Sequence, residues 1–83
     1  MNEINNRYDV YAIVAEQVKE LGLVEEVTTS KALHHQGLDS IDVVDMALRL
    51  ENRLGIENMV ISCEDTPADV ADNAWRMLTQ ISE

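Results

Sequence analysis

The sequence contains few of the residues that mark several large classes of protein. Its 83 residues include no phenylalanine, one tryptophan, one proline, three glycines and one cysteine. The single thiol, Cys63, cannot form an internal disulfide, which excludes a small disulfide-stabilised secreted scaffold. The scarcity of glycine and proline, together with 46% hydrophobic residues, excludes a disordered or turn-rich chain and favours a compact helical bundle.

Basic residues and long apolar segments are also scarce. Six Lys and Arg are present against sixteen Asp and Glu, which gives a formal net charge of −10. This charge repels nucleic acid and anionic membrane surfaces and attracts proteins that carry Lys and Arg patches. No apolar stretch approaches membrane-spanning length, and residues 1–6 lack the basic and apolar regions of a signal peptide. We therefore expect a cytoplasmic protein that basic partner proteins recognise, without nucleic-acid or membrane ligands.

The small size of the chain sets a further limit. A domain of this length buries roughly 60% of the surface that its unfolded chain exposes, so its stability is marginal. There is little room for an enclosed active site in addition to a core. We expect residues 1–83 to form a single domain and a monomer.

The first helical pattern ends near Gly22, which we expect to act as the C-terminal cap. Its start is open among Asn5, Asn6 and Asp9. A long connection over residues 23–39 follows, and Val24, Val27 and Leu33 are spaced along it like anchors on a core. Long connections without regular structure are unusual in small domains and are often functional. The apolar residues of this first helix are Val10, Ile13, Val14, Val18 and Leu21.

The last helix has a clear start signal, with Thr66 as N-cap, Pro67 as first helical residue and Asp69 two positions later. Between Gly55 and this start, residues 56–65 fit neither the helical nor the strand period, and we predict a short helical turn there. The apolar stripe of the last helix consists of Val70, Ala71, Ala74, Leu78 and Ile81, with Trp75 at its border.

The second helical pattern runs from Ser40 to Leu54 and ends before Gly55. It is apolar on more than one side, so the helix either packs on two neighbours or leaves part of its surface for a partner. One apolar stripe contains Ile41, Val44, Ala47 or Leu48, and Leu54, and the second contains Val43, Met46 and Leu50.

The run Gly-Leu-Asp-Ser-Ile-Asp at residues 37–42 lies where the long loop ends and the second helix begins. It matches the acyl carrier protein signature, Gly-x-Asp-Ser-(Leu/Ile), at Gly37, Asp39, Ser40 and Ile41. The order of elements along nearly the whole chain also resembles this family of phosphopantetheine-bearing carriers. The resemblance implies an all-α acyl carrier domain: a four-helix bundle of three main helices and one short helix, with a long first loop.

Ser40 has the most specific role that the resemblance implies. Its hydroxyl, next to Asp39, would receive 4′-phosphopantetheine from coenzyme A through a phosphopantetheinyl transferase, and acyl intermediates would be carried as thioesters on this arm. The position suits a phosphodiester, because a helix N-terminus presents unpaired N–H groups and a positive dipole end. Taken alone, the serine is an ordinary helix-start residue, since either Asp39 or Ser40 could cap the backbone there.

Acidic residues on the second helix are the candidate partner-docking surface. By the resemblance, Asp42, Asp45 and Glu51 bind basic patches on the transferase and on acyl-activating, condensing and other acyl-processing enzymes, and we place Met46 in the same surface. Helix-dipole stabilisation alone would also explain Asp42.

Two basic residues of the second helix depart from the family pattern. Arg49 and Arg53 occupy positions that tend to be neutral or acidic in carriers used for bulk fatty-acid synthesis. We therefore include Arg49 in the docking surface and expect a dedicated set of partners. Fatty-acid synthesis and a specialised acyl or polyketide pathway both remain open.

By the resemblance, an acyl chain would be held in a cleft between helices. Apolar residues of the second helix and of later segments are the candidates to line this cleft. For most of them, membership of an ordinary hydrophobic core is an equally good explanation. The candidates are Val44, Leu48, Ile56, Ile61, Ala71 and Trp75.

The sequence predicts no catalytic site and no metal site. His34 and His35 are adjacent in a loop without zinc-ligand spacing, and Cys63 has no evident histidine partner. We therefore expect a non-enzymatic carrier. Two alternatives stay open: a carrier for aminoacyl or peptidyl cargo in a secondary pathway, and an acidic helical adaptor that is never modified.

Overall fold

Three α-helices and one short 3₁₀ helix form the described part of the protein. The structure is a computed structural model, which describes residues 6–22 and 24–81. All regular elements in this part of the chain are helical, which confirms the all-α fold with three main helices, one short helix and a long first loop. In chain order they are α1 (Arg7–Gly22), the 3₁₀ helix (Leu33–Gln36), α2 (Ser40–Leu54) and α3 (Pro67–Ile81).

The short helical element does not lie where the sequence pattern predicted it. Residues 56–65 contain turns and bends but no helix, and the 3₁₀ helix lies instead at Leu33–Gln36 in the first loop. Asn58 has a positive φ of 63°, which a right-handed helix does not tolerate. The backbone N–H of Met59 donates to the Glu51 carboxylate at 2.8 Å, so the segment is attached to α2 by a side chain rather than by its own helical bonds.

Asn6 caps the start of α1. Its Oδ1 accepts hydrogen bonds from the backbone N–H groups of Tyr8, at 2.9 Å, and of Asp9, at 3.2 Å. These are donors without a partner inside the helix, so the cap satisfies them. Of the three candidates for this start, Asn6 is therefore the cap, Asp9 lies in the first turn, and Asn5 falls outside the described residues.

Gly22 is the last residue of α1, and the reason for a glycine there differs from the predicted one. Its φ is not positive, so it does not form a left-handed cap. A Cβ at this position would overlap the carbonyl oxygen of Gln36 and lie 2.8 Å from the Leu38 side chain. The first loop thus crosses the end of α1 at a distance that only glycine permits.

The predicted end of α2 and start of α3 are confirmed. Gly55 has a φ of 72° and donates its N–H to the Glu51 carbonyl at 2.8 Å, which is a left-handed C-terminal cap. Thr66 Oγ1 accepts from the Asp69 N–H and Asp69 Oδ2 accepts from the Thr66 N–H, both at 3.1 Å. This reciprocal pair is a capping box, with Pro67 as first helical residue.

The hydrophobic core draws on all three α-helices and on both connecting segments. Each large aliphatic side chain that is fully buried stabilises the fold by about 1.5–3 kcal/mol before its entropy cost is subtracted. Among the predicted loop anchors, Leu33 is fully buried, while Val24 and Val27 are half-buried. Leu21 and Leu78 are also half-buried. The core comprises Val10, Ile13, Val14, Val18, Leu33, Leu38, Val43, Met46, Leu50, Leu54, Ile56, Met59, Val70, Ala71 and Ala74.

Backbone hydrogen bonds join the first loop to the segment before α3. The N–H of Leu33 donates to the Asp65 carbonyl at 2.8 Å, and the N–H of His34 donates to the Cys63 carbonyl at 3.0 Å. The 3₁₀ helix is thereby attached on both of its sides, to α1 through Gly22 and to residues 63–65. This attachment positions the beginning of α2.

Gln36 is the buried polar residue that holds the first loop together. It is 5% exposed, and its side-chain amide makes three hydrogen bonds, each 2.8 Å long. Oε1 accepts from the Thr28 N–H, while Nε2 donates to the carbonyls of Thr28 and Lys31. A buried amide that satisfies three backbone groups at once fixes the path of the loop.

Gln36→Leu should lower the free energy of unfolding by about 1–2 kcal/mol, because it removes the hydrogen bonds of the Gln36 amide to the Thr28 N–H and to the carbonyls of Thr28 and Lys31. Leucine keeps the approximate volume, so packing loss contributes little. Urea denaturation followed by circular dichroism measures the effect. His35→Leu, at an exposed site in the same 3₁₀ helix, is the control and should change stability by less than about 0.5 kcal/mol. Equal effects of the two variants would contradict the assigned role of Gln36.

Candidate functional site

Two aspartates cap the N-terminus of α2 reciprocally. Asp39 Oδ1 accepts from the Asp42 N–H at 2.9 Å, and Asp42 Oδ2 accepts from the Asp39 N–H at 3.1 Å. Asp39 is the N-cap and Ser40 is the first helical residue. Since the cap is supplied by Asp39, Ser40 is not needed for it.

The Ser40 side chain is exposed and makes no hydrogen bond to the described part of the chain. The capping box uses the third N–H of α2, at Asp42. The N–H groups of Ser40 and Ile41 precede the first intrahelical bond, from Val43 to Asp39 at 3.0 Å, and therefore face outward. An exposed hydroxyl thus lies beside unpaired backbone donors at the positive end of a helix, where a bound anion is stabilised.

The loop that precedes Ser40 is fixed by buried residues. Leu38 is 2% exposed and donates its N–H to the Leu33 carbonyl at 3.3 Å. Gly37 ends the 3₁₀ helix with a φ of 93°, which glycine adopts without strain. Buried Leu38 on one side and buried Val43 on the other hold the segment between them at the surface.

One face of α2 exposes three large apolar side chains. Ile41, Val44 and Leu48 are 76%, 61% and 59% exposed and follow one another at helical spacing along the helix. With Ser40 and Asp45 they line a shallow depression of about 530 Å³, which we call the α2 patch. The sequence left open whether α2 packs on two neighbours or keeps part of its apolar surface uncovered. Within the described part of the chain, this part of the α2 surface is uncovered. Ile41 thus belongs to this exposed patch in addition to the site residues that the sequence predicts.

A second depression, which we call the α2 groove, lies between α2 and the segment that follows it. Its volume is about 240 Å³. Of the predicted cleft residues, Val44, Leu48 and Ile61 line this groove. The groove is lined by Val43, Val44, Ala47, Leu48, Glu51, Met59, Val60 and Ile61.

The other three predicted cleft residues belong to the core instead. Ile56 is 2% exposed and Ala71 is fully buried. Trp75 is half-buried against the core and does not line the α2 groove. Ala71 and Trp75 belong to α3, which packs mainly on α1, and none of the three residues lines the α2 groove.

Met46 does not reach a partner-docking surface, contrary to the prediction. It is fully buried, together with Val43 and Leu50, which lie three positions before it and four positions after it. These residues share the face of α2 that packs on the core, whereas Ile41 and Val44 lie on the exposed face. Met46 is therefore a core residue.

The predicted docking carboxylates are already engaged within the protein. The carboxylates of Asp39 and Asp42 bind backbone N–H groups in the capping box. Asp45 Oδ2 lies 3.2 Å from Arg49 Nη2, an ion pair one helical turn apart. Glu51 accepts the hydrogen bond from the Met59 N–H and lines the α2 groove. Asp45 is thus the carboxylate that lines the α2 patch, and its charge is partly compensated by Arg49.

The two arginines of α2 bind α1. Arg49 Nη1 donates to Gln17 Oε1 at 3.2 Å and lies 3.4 Å from Glu20 Oε1. Arg53 Nη1 lies 3.4 Å from Glu16 Oε1. The ion pairs are half-exposed, and each contributes about 0.2–1 kcal/mol at most. The basic residues that looked anomalous in the sequence therefore connect α2 to the acidic side of α1.

A model of the phosphopantetheine attachment site family matches residues 9–72 of the chain. The chain belongs to the phosphopantetheine attachment site family. This membership confirms the resemblance to acyl carrier proteins, and the matched segment contains the 3₁₀ helix, all of α2 and the first turns of α3. Neither the comparison with curated proteins nor the comparison with solved structures gave a significant match.

Phosphopantetheine attachment domains carry covalently bound 4′-phosphopantetheine. They interact with a phosphopantetheinyl transferase and with acyl-processing enzymes, and they are typically non-catalytic carriers. For this member of the family, the exposed start of α2 offers a hydroxyl and free N–H groups. A phosphodiester linked to serine needs an accessible hydroxyl oxygen and an environment that stabilises negative charge. The start of α2 provides both.

Elsewhere, the described residues of this phosphopantetheine attachment domain contain no group of three His, Cys, Asp or Glu that could hold a metal ion. His34 and His35 are exposed, with their rings edge to face at 4.1 Å, and Cys63 is half-buried. In residues 6–22 and 24–81, every helix is too short or too polar to cross a membrane.

A hydrogen bond that sequence reasoning missed connects α1 to α3. The Tyr11 hydroxyl donates to Asp72 Oδ1 at 2.7 Å. This bond to a carboxylate raises the pKa of Tyr11, because the phenol proton is held by the acceptor. The two residues are 61 positions apart, so no local pattern could have paired them.

Proposed function

We propose that Ser40 is the attachment residue and that the chain carries acyl groups as thioesters on a phosphopantetheine arm. The observation that supports this is the division of roles at the start of α2: Asp39 caps the helix, so the Ser40 hydroxyl is exposed and uncommitted. In the attachment reaction Ser40 Oγ forms a bond to the phosphorus atom of coenzyme A that bears the pantetheine arm, and its proton passes to the base of the transferase. The P–O bond of the pyrophosphate bridge breaks at the same phosphorus, and adenosine 3′,5′-bisphosphate leaves. The arm then supplies a terminal thiol, on which an acyl group is activated as a thioester.

The residues around Ser40 support the electrostatics of this attachment. The N–H groups of Ser40 and Ile41 and the positive end of the α2 dipole stabilise the phosphodiester. Asp39 and Asp42 hold these donors in place through the capping box. The chain itself needs no catalytic base, since an exposed primary hydroxyl is sufficient for the transferase.

Fatty or polyketide acyl chains are the proposed cargo. The α2 groove begins beside the patch that contains Ser40, because Val44 and Leu48 line both depressions. Its other lining residues are mostly apolar, which suits a hydrocarbon chain better than a charged aminoacyl group. The exposed apolar face of α2, together with Asp45, which lines the same patch, is the proposed docking surface for acyl-processing partners with basic patches.

Intact mass spectrometry tests the proposed function. Incubation with coenzyme A and a phosphopantetheinyl transferase should add the mass of one phosphopantetheinyl group, and peptide mapping should place it on Ser40. The holo form is then offered to acyl-activating and aminoacyl-activating enzymes, and acyl transfer should be preferred. An unmodified protein would refute the proposal and favour an acidic adaptor, whereas exclusive aminoacyl loading would favour the alternative cargo.

Ala47→Leu tests the α2 groove as the acyl site. Ala47 is 9% exposed and lines the groove, so a larger side chain fills the space that the acyl chain would use. We expect a medium-chain acyl group to raise the Tm of the holo protein, and the variant to lose at least about half of that increase. Differential scanning calorimetry of the holo and acyl forms measures this increase in Tm for the original chain and for Ala47→Leu. An undiminished increase in the variant would place the acyl chain elsewhere.

A further inference from the structure

We propose that Arg49 is a specificity-determining residue, because it competes with basic side chains of partner enzymes for the Asp45 carboxylate on the α2 patch. This inference rests on the proposed function, since it concerns enzymes that act on an arm attached to Ser40. Arg49 therefore lowers the affinity of the chain for partners that dock through a general basic patch. Partners that rely on the apolar residues of the patch are less affected.

The first observation is the position of Asp45. It lines the α2 patch together with Ser40 and the exposed apolar side chains, so a basic group of a docked enzyme would meet this carboxylate first. The carboxylates of Asp39 and Asp42 are committed to the capping box. Asp45 Oδ2 instead forms an ion pair with Arg49 Nη2, at a distance of 3.2 Å.

The second observation is that the Arg49 guanidinium is held in place from the side of α1. Nη1 donates to Gln17 Oε1 at 3.2 Å and lies 3.4 Å from Glu20 Oε1, while Nη2 is directed to Asp45. Gln17 is buried, with 8% exposure, so this anchor is part of the α1–α2 interface. A guanidinium with acceptors on two helices keeps its position better than a freely moving side chain.

Charge competition follows from this geometry. A Lys or Arg of a partner that approaches Asp45 is attracted by the carboxylate and repelled by the guanidinium beside it. Both side chains of the pair are close to half exposed, at 44% for Arg49 and 46% for Asp45, so solvent and salt screen the competition. The effect on affinity is therefore modest and sensitive to ionic strength.

Arg53 provides a matched control. It lies one helical turn after Arg49, and its guanidinium pairs with Glu16 of α1, at 3.4 Å, rather than with a residue of the α2 patch. Arg53→Gln and Arg49→Gln remove the same charge from the same helix. A difference between them thus reports local competition and not the net charge of the protein.

The experiment measures the KM and kcat of phosphopantetheinyl transfer for the full chain, with coenzyme A and a transferase whose carrier-binding face is basic. At about 0.02 M NaCl, Arg49→Gln should lower the KM for the carrier roughly two- to five-fold with unchanged kcat, a size set by exposed ion pairs. At about 0.5 M NaCl the difference should disappear. Arg53→Gln should leave the KM within the error of the original chain at both salt concentrations. Circular dichroism at the assay temperature confirms that each variant is folded.

A double variant identifies the carboxylate involved. Asp45→Asn should raise the KM, and Arg49→Gln combined with Asp45→Asn should show none of the gain of Arg49→Gln alone, because the two residues act on one interaction. The proposal is overturned by an equal fall in KM for Arg53→Gln, by an unchanged KM for Arg49→Gln, or by a gain that persists without Asp45. A failure of the original chain to be modified at all would instead refute the proposed function, so the two failures are distinguishable.

Discussion

Ser40→Ala should abolish attachment of the phosphopantetheine arm completely, while the stability of the fold changes by less than about 0.5 kcal/mol. The arm needs the hydroxyl oxygen, for which alanine has no substitute. The fold does not need it, because Asp39 and Asp42 cap α2 without Ser40. Intact mass after incubation with transferase and coenzyme A measures the first effect, and urea denaturation measures the second.

Two control variants make this test specific. Ser30→Ala, at an exposed loop position, should be modified as fully as the original chain. Asp39→Ala removes the N-cap of α2 and should cost about 0.5–2 kcal/mol of stability. If Ser40→Ala proved as destabilising as Asp39→Ala, the serine would be a structural cap, and retention of the arm in Ser40→Ala would place the attachment on another residue.

Gly22→Ala should lower the free energy of unfolding by about 2–3 kcal/mol, equivalent to a fall in Tm of roughly 10–20 °C for a domain of this size. The added Cβ would overlap the Gln36 carbonyl and lie 2.8 Å from the Leu38 side chain. Gln36 cannot move away easily, because its side chain makes three hydrogen bonds to the loop. The gain in helix propensity from alanine, up to about 1 kcal/mol, does not offset this clash.

Gly55→Ala is the informative comparison. Gly55 has a φ of 72°, but the space around its Cβ position is open to at least 4 Å. The cost should therefore be only the strain of a left-handed alanine, about 1–2 kcal/mol. Differential scanning calorimetry of both variants measures the two costs. A larger loss for Gly55→Ala than for Gly22→Ala would contradict the close approach of the loop to α1.

The end of α2 and the start of α3 could be predicted because their signals are local. Thr66 and Asp69 form a capping box through bonds that span three residues, and Gly55 ends α2 through a bond to a residue four positions earlier. These interactions depend on the chain within one helical turn. The short helix was placed wrongly for the converse reason. Residues 56–65 are attached to α2 through the Glu51 carboxylate and to the first loop through the carbonyls of Cys63 and Asp65. Residues 33–36 depend on the burial of Leu33 and Gln36.

The candidate site could be predicted only in part. The motif around Ser40 indicated the attachment residue, and family membership supports it. The face of α2 that would meet a partner could not be read from the pattern, because both stripes of the helix are apolar at helical spacing. Packing on the core decides that Met46 is buried while Val44 and Leu48 are exposed.

The sequence by itself determined the helical class, the caps at Gly55 and Thr66, the acidity and the serine at the head of α2, because these depend on composition and on neighbours within one turn. Tertiary structure alone decided why Gly22 is a glycine, what Gln36 binds and which acceptors hold Arg49. Arg49 meets Gln17 across 32 positions and Glu20 across 29. Contacts at such separations arise only when α1 and α2 pack together, so a linear pattern does not record them.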